Sequence, residues 1–119
     1  MNFIITRSKD TFVKVGDFNY CELEDMLLPD TISVDTETTG LNAHLGDYIF
    51  SVQIGTGRNN YIIDLEHRDT PLLQGNQIYF KELIPYLKNK TLLFHNACFD
   101  LKFFYKENYY PDKIRDTMV

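Results

Sequence analysis

The sequence is short of the features that place many proteins at once. It holds two cysteines in 119 residues, Cys21 and Cys98. They form no close pair, so neither a disulfide framework nor a zinc site is expected, and a reducing cytoplasm is the simplest compartment. No apolar run approaches the ~18 residues of a membrane-crossing helix, and no membrane partner is expected. The opening residues Met1-Asn2-Phe3-Ile4-Ile5-Thr6-Arg7 lack the apolar core of a secretory leader. There is no internal repeat and no low-complexity tract. Positive charge is in deficit, with 12 Lys and Arg against 17 Asp and Glu and a net charge of −5. A protein that coats nucleic acid electrostatically needs the opposite balance. One that grips only a strand end through a few groups does not. The length suits a single domain over 1–119 with one core.

What is present centres on Thr31-Ile32-Ser33-Val34-Asp35-Thr36-Glu37-Thr38-Thr39-Gly40-Leu41. It begins as a short apolar run, reads as a buried strand over 32–36, and ends at a glycine. Side chains at i and i+2 of a strand share a face, so Asp35 and Glu37 stand side by side at its end. Two ionised carboxylates that close repel each other. A shared proton, a basic partner or a divalent cation relieves this; no Lys or Arg lies within the run.

The rest of the pattern is mixed. Residues 3–15 read as extended with a turn near Lys9-Asp10, and 20–28 as a helix closed by Pro29-Asp30. Residues 48–55 alternate as a half-buried strand. Gly57-Arg58-Asn59-Asn60 is a turn that folds 61–65 back as a hairpin partner. A loop over 66–76 leads to a helix over 78–87, in which Pro85 is awkward. A buried strand over 91–95 follows, then a helix from Ala97 to about Lys106 with Asn96 as its N-cap, and a last element from Ile114. Antiparallel strands followed by helix, strand, helix and strand give a mixed α/β sheet flanked by helices. Asp100 then lies one turn into its helix, near a sheet edge where ligands collect.

The second informative stretch is His95-Asn96-Ala97-Cys98-Phe99-Asp100. Either stretch alone is weak, because Asp-x-Glu is common by chance. Together and in this order they resemble the first two motifs of the DEDD 3′–5′ exonucleases, of the ribonuclease H-like superfamily. Asp35-Thr36-Glu37-Thr38-Thr39-Gly40-Leu41 is similar to the first motif. Asn96 and Asp100, with three residues between them, are similar to the second. Ile114-Arg115-Asp116-Thr117-Met118-Val119 resembles the strand and helix start that follow. Within that family the chain is most similar to the proofreading domain of family A DNA polymerases, bacterial or phage.

The resemblance implies a metal-dependent nuclease that hydrolyses the terminal phosphodiester at a single-stranded DNA 3′ end. It implies two divalent ions, Mg²⁺ or Mn²⁺. Asp35 would bridge both, Glu37 would bind the water-activating one and meet the 3′-hydroxyl, and Asp100 would hold the second. Thr38 and Leu41 would touch the terminal nucleotide, with Leu41 wedged against its base, and Asn96 would support the site or cap the helix. The cytoplasm of a bacterium or phage-infected cell follows, with a polymerase domain as a possible partner. A ribonuclease D-like trimmer of RNA shares these motifs, and a non-catalytic nucleic-acid-binding or partner-docking module remains the alternative from another class.

One part of the family pattern is missing. The family carries a fourth acid on a later helix, with a Tyr or His ahead of it that orients the attacking water. Tyr109-Tyr110-Pro111-Asp112 has the wrong spacing for it, and Asp116 matches a non-ligand position. The expectation is a ribonuclease H-like domain truncated at its C-terminus, weak in metal binding and nearly inactive alone, completed by a C-terminal segment or partner. Plainer readings stand beside these: Phe99, Phe103 and Phe104 as core, Cys98 as a small buried filler, Lys102 as surface charge, Leu41 as a loop anchor, and His44 and His67 as solvated.

Overall fold

The computed structural model describes residues 1–7, 9–11, 14, 16–65 and 78–117. In these residues the strands are β1 (Asn2–Ile5), β2 (Phe18–Tyr20), β3 (Thr31–Thr38), β4 (Ile49–Gly55), β5 (Asn60–Asp64), β6 (Thr91–Phe94) and β7 (Ile114–Asp116). The helices are α1 (Phe80–Leu87) and α2 (Ala97–Lys106). The strands form one sheet in the order β2-β1-β5-β4-β3-β6-β7. β3, β4 and β5 are antiparallel neighbours, whereas β6 runs parallel to β3 and β7 parallel to β6. This is the expected mixed sheet.

Alternation along β3 decides which side of the sheet does what. Ile32, Val34 and Thr36 are buried, while Thr31, Ser33, Asp35 and Glu37 are exposed. Across the sheet the buried set continues through Val52, Ile54, Tyr61 and Ile63. Both helices pack on this side. α1 buries Phe80, Leu83 and Leu87, and α2 buries Leu101, Phe103 and Phe104. Phe104 is the junction, with ring centroids 5.1 Å from Phe80 and 5.8 Å from Phe94. Burial of each such side chain contributes ~1.5–3 kcal/mol. The opposite side of the sheet is an open groove of about 470 Å³, lined by Ser33, Asp35, Gln53, Gly55, Ile62 and His95 among others.

Several expectations change. Residues 20–28 are not a helix: β2 ends at Tyr20 and only a three-residue 3-10 turn, Leu23–Asp25, follows. The stretch is too short in apolar spacing to bury a helical stripe, and Pro29 stops it. Residues 3–15 are not extended throughout: β1 ends at Ile5 and a 3-10 turn spans Lys9–Thr11, while β2 pairs with β1 in parallel. Ile78 precedes α1 and bridges to Leu65 instead. Pro85 does sit inside α1. Pro removes one backbone bond there, and three core side chains in two turns offset it. The start of α1 is reinforced by Glu82, whose carboxylate accepts the Tyr79 amide at 2.9 Å and two bonds from Arg7 at 3.1 and 2.6 Å. Cys98 is exposed, not a buried filler, because it falls on the solvent side of α2. Phe103 and Phe104 are core as expected, and Phe99 is partly buried against it. The expected loop over 66–76 and His67 lie outside the described residues.

Candidate active site

Because β3, β6 and β7 are parallel, their carboxyl ends share one edge of the sheet. Asp35, Glu37, Thr38, Asn96 and Asp100 lie at that edge, and Leu41 lies on the loop that leaves it. β3 pairs with β6 only as far as Ser33, opposite Leu93. Past that point lie Asp35, Thr36 and Glu37, and from the neighbouring strand end α2 begins. A crevice at the carboxyl ends of parallel strands is where open α/β sheets bind ligands.

Asp35 and Glu37 share the exposed side of β3, as the alternation predicts. Between them Thr36 points the other way and is 7% exposed. Thr36 is the link to the second motif. Its backbone amide donates to Asp35 Oδ1 at 2.9 Å, and its hydroxyl donates to Asp100 Oδ1 in a short bond. Two acids 65 positions apart are thereby bonded to one residue. A polar side chain at the core-facing phase of a strand end was the available signal for Thr36, and sequence reasoning passed over it.

Asp100 is 3% exposed. Its carboxyl is pushed up to about 6, first by burial and then by the negative charges of Asp35 and Asp116, with the Thr36 hydroxyl opposing the shift. Burial disfavours the charged form, and like charges add to that. Among the described residues, no three His, Cys, Asp or Glu side chains form a group placed to hold one metal ion. Thr36 bonds Asp35 through its amide and Asp100 through its hydroxyl. The donor set nonetheless fits a hard divalent ion, being carboxylate oxygen only and crowded with negative charge. Asp35, Glu37 and Asp100 are the residues that could hold it.

Asn96 does not cap α2 with its side chain. It adopts a left-handed conformation (φ 71°, ψ 64°) and makes no side-chain cap bond. The cap comes from Asp116, whose two carboxylate oxygens accept the amides of Asn96 and Ala97, each at 2.9 Å. Nothing in the local sequence around residue 96 announces a cap supplied from 20 positions away.

The loop after β3 is held by Asp47. Its carboxylate accepts the Thr39 hydroxyl and the Asn42 amide, both at 3.1 Å. A Cβ on Gly40 would lie 2.4 Å from Asp47 Oδ2, so the glycine is needed for that close approach. Thr38 Oγ1 donates to the Gly40 carbonyl at 2.8 Å. Lys106, at the end of α2, donates to the Asp47 carbonyl at 2.7 Å. Leu41 stands on this loop 74% exposed, so it is no buried anchor. Lys102 and His44 are exposed as expected.

Comparisons with known proteins bear on the family and the fold. A family described as 3′–5′ exonuclease, of the DNA polymerase A type, matches residues 19–119. The chain is 36% identical over 87 residues to DNA polymerase I of Aquifex aeolicus, which covers 72% of this chain and 12% of that protein. Among solved structures it is similar to Brucella melitensis NrnC with bound Mg²⁺, at TM-score 0.60 and 24% identity, over 98% of this chain and 49% of the other. It is also similar to the Aedes aegypti Nibbler EXO domain, at TM-score 0.56 and 16% identity, over 96% and 52%. The chain thus spans about half of these structural relatives and about an eighth of the polymerase.

Proposed function

The chain belongs to the 3′–5′ exonuclease family of the DNA polymerase A type, and from that premise we propose that it serves proofreading, removing terminal nucleotides from a single-stranded DNA 3′ end with the help of two divalent ions, Mg²⁺ or Mn²⁺. The observation that carries this reading is the edge where Thr36 bonds both Asp35 and Asp100, with Glu37 beside Asp35 on the open side.

The ions, when bound, would supply a nucleophilic water near neutral pH and relief of charge on the leaving 3′-oxygen. Asp35 would hold both ions, Glu37 the one nearer the attacking water, and Asp100 the other. Asp100, buried and with its carboxyl pushed up to about 6, would hold an ion as its carboxylate, the form that a nearby cation favours. Thr38 and the exposed Leu41 would receive the terminal nucleotide, Leu41 against its base; apolar and stacking contacts of that kind tolerate any sequence. Asn96 would support the turn that starts α2.

The DNA substrate rests on the Aquifex aeolicus polymerase relative, and Mg²⁺ on the NrnC structure that holds it. NrnC is also solved bound to pGG, which keeps short nucleotides and an RNA 3′ end in view. A polymerase domain or a complementing segment would be the partner, and the cytoplasm the compartment. The test is the chain, alone and with the downstream segment of a family member added, incubated with Mn²⁺ and matched labelled DNA and RNA oligonucleotides. Stepwise shortening of DNA from the 3′ end, lost in Asp35→Ala, is expected. Preference for RNA redirects the substrate, since the 2′-hydroxyl is the handle. No cleavage under either condition leaves a non-catalytic module.

A further inference from the structure

The junction between β6 and α2 is built almost entirely by the end of β7. Asp116 accepts the Asn96 and Ala97 amides at 2.9 Å each. The next residue, Thr117, donates its amide to the Phe94 carbonyl at 2.9 Å, and its hydroxyl lies 3.0 Å from His95 Nδ1. The last residue of β7 and the one after it thus hold the four consecutive residues 94–97. The turn they hold is one that the backbone does not favour by itself, since Asn96 is left-handed and the start of α2 has no cap of its own. A left-handed residue costs on the order of 1 kcal/mol unless its surroundings fix it. Asp100 sits in the first turn of α2, so the direction in which α2 leaves this turn decides whether Asp100 meets Thr36 and Asp35.

We infer that Asp116 is a positioning residue for the divalent-ion site: through its paired bonds to the Asn96 and Ala97 amides it sets the start of α2, and thereby the place of Asp100 against β3. Asp116 touches neither ion nor substrate in this role. Its place on β7 makes the acid group a product of three strand ends rather than two. The inference rests on the reading of Asp35 and Asp100 as ion ligands.

The test measures Mn²⁺ affinity of the purified chain by calorimetric titration, together with its melting temperature. Loss of a residue that orients a metal ligand typically costs 10–100-fold in affinity. Asp116→Ala is expected to weaken Mn²⁺ about tenfold or more. Asp116→Asn, which keeps one acceptor oxygen and loses the charge, is expected to fall between Ala and the native chain. Phe3→Ala, on β1 at the other side of the sheet and partly buried against the core, serves as a control that lowers the melting temperature but leaves Mn²⁺ affinity in place. Equal weakening by Asn and Ala would reduce the role of Asp116 to its charge and overturn the inference. So would unchanged affinity in both variants, or a loss that the control reproduces at a matched melting temperature. Should Asp116→Ala fail to fold, Asp116→Asn against the control carries the test alone. If the native chain binds no Mn²⁺, or Asp35→Ala binds it as well as the native chain does, the reading of the ligands fails. If Asp35→Ala abolishes binding and Asp116 substitutions do not alter it, only the positioning role fails.

Discussion

The two sides of β3 differ residue by residue over one strand. Ile32 and Val34 meet the helices, while their neighbours Ser33 and Asp35 face an open groove. The same backbone therefore supplies a core on one side and chemistry on the other. Thr36 is where the division is crossed: it lies on the core side, yet its amide and hydroxyl serve an acid on each side. The comparison shows that a strand which ends polar on both sides can join groups that its alternation would keep apart. It also explains why Asp100, on the packed side, is buried, whereas Asp35 and Glu37 are not.

Substitution of adjacent residues tests the comparison most strongly. Ile32 is 1% exposed, and Ile32→Ala is expected to cost about 2–5 kcal/mol in chemical denaturation. Ser33→Ala, one position along, is expected to stay within about 0.5 kcal/mol. Similar losses at both would show that the open side is packed against something and would end the distinction.

Asp100 offers the next largest effect. Its carboxyl lies at about 6 in the folded chain against an ordinary 3.8. Between those values the folded state binds more protons than the unfolded one, so stability falls as pH rises from about 4 to about 6. The displacement corresponds to roughly 3 kcal/mol. Asp100→Asn is expected to remove that slope and to be the more stable protein at pH 7 without divalent ions. Added Mg²⁺ should then stabilise the native chain and not the variant. A native chain whose stability is flat over this range would show that Asp100 is not held as described.

Gly40 gives a smaller effect on the open side. With a Cβ 2.4 Å from Asp47 Oδ2, Gly40→Ala must push the loop or the carboxylate aside, at about 1–3 kcal/mol. The loss should shrink when Asp47→Ala is added, because the clash is then gone. Simple additivity of the two would separate Gly40 from Asp47 and leave the Leu41 loop held by other contacts.

How much of this was legible follows the same division. The strand and the pairing of Asp35 with Glu37 were readable because alternation is a local rule. α2 was readable over its full length from the run Ala97–Lys106. The helix expected over 20–28 was not there, since acids and apolar residues at mixed spacing do not reveal whether a face has anything to pack on. Asn96 does stand at the N-cap position of α2, but its side chain makes no cap bond there. Asn is a good cap by type, but the acceptor came from Asp116, and only the parallel pairing of β6 with β7 brings it near. Asp47 was missed because its contacts close a loop, which no spacing rule encodes; Thr36 showed only as a polar residue at a core-facing phase, and its partner Asp100 lies 64 residues away.

The central claim is that acids from β3 and α2 gather at one sheet edge to hold a divalent ion. Calorimetric titration of Mn²⁺ into the native chain, Asp35→Asn and Asp100→Asn tests it most directly. Saturable binding by the native chain, weakened at least tenfold by each substitution, is the expected result. Binding that neither substitution alters would place the ion elsewhere and contradict the claim.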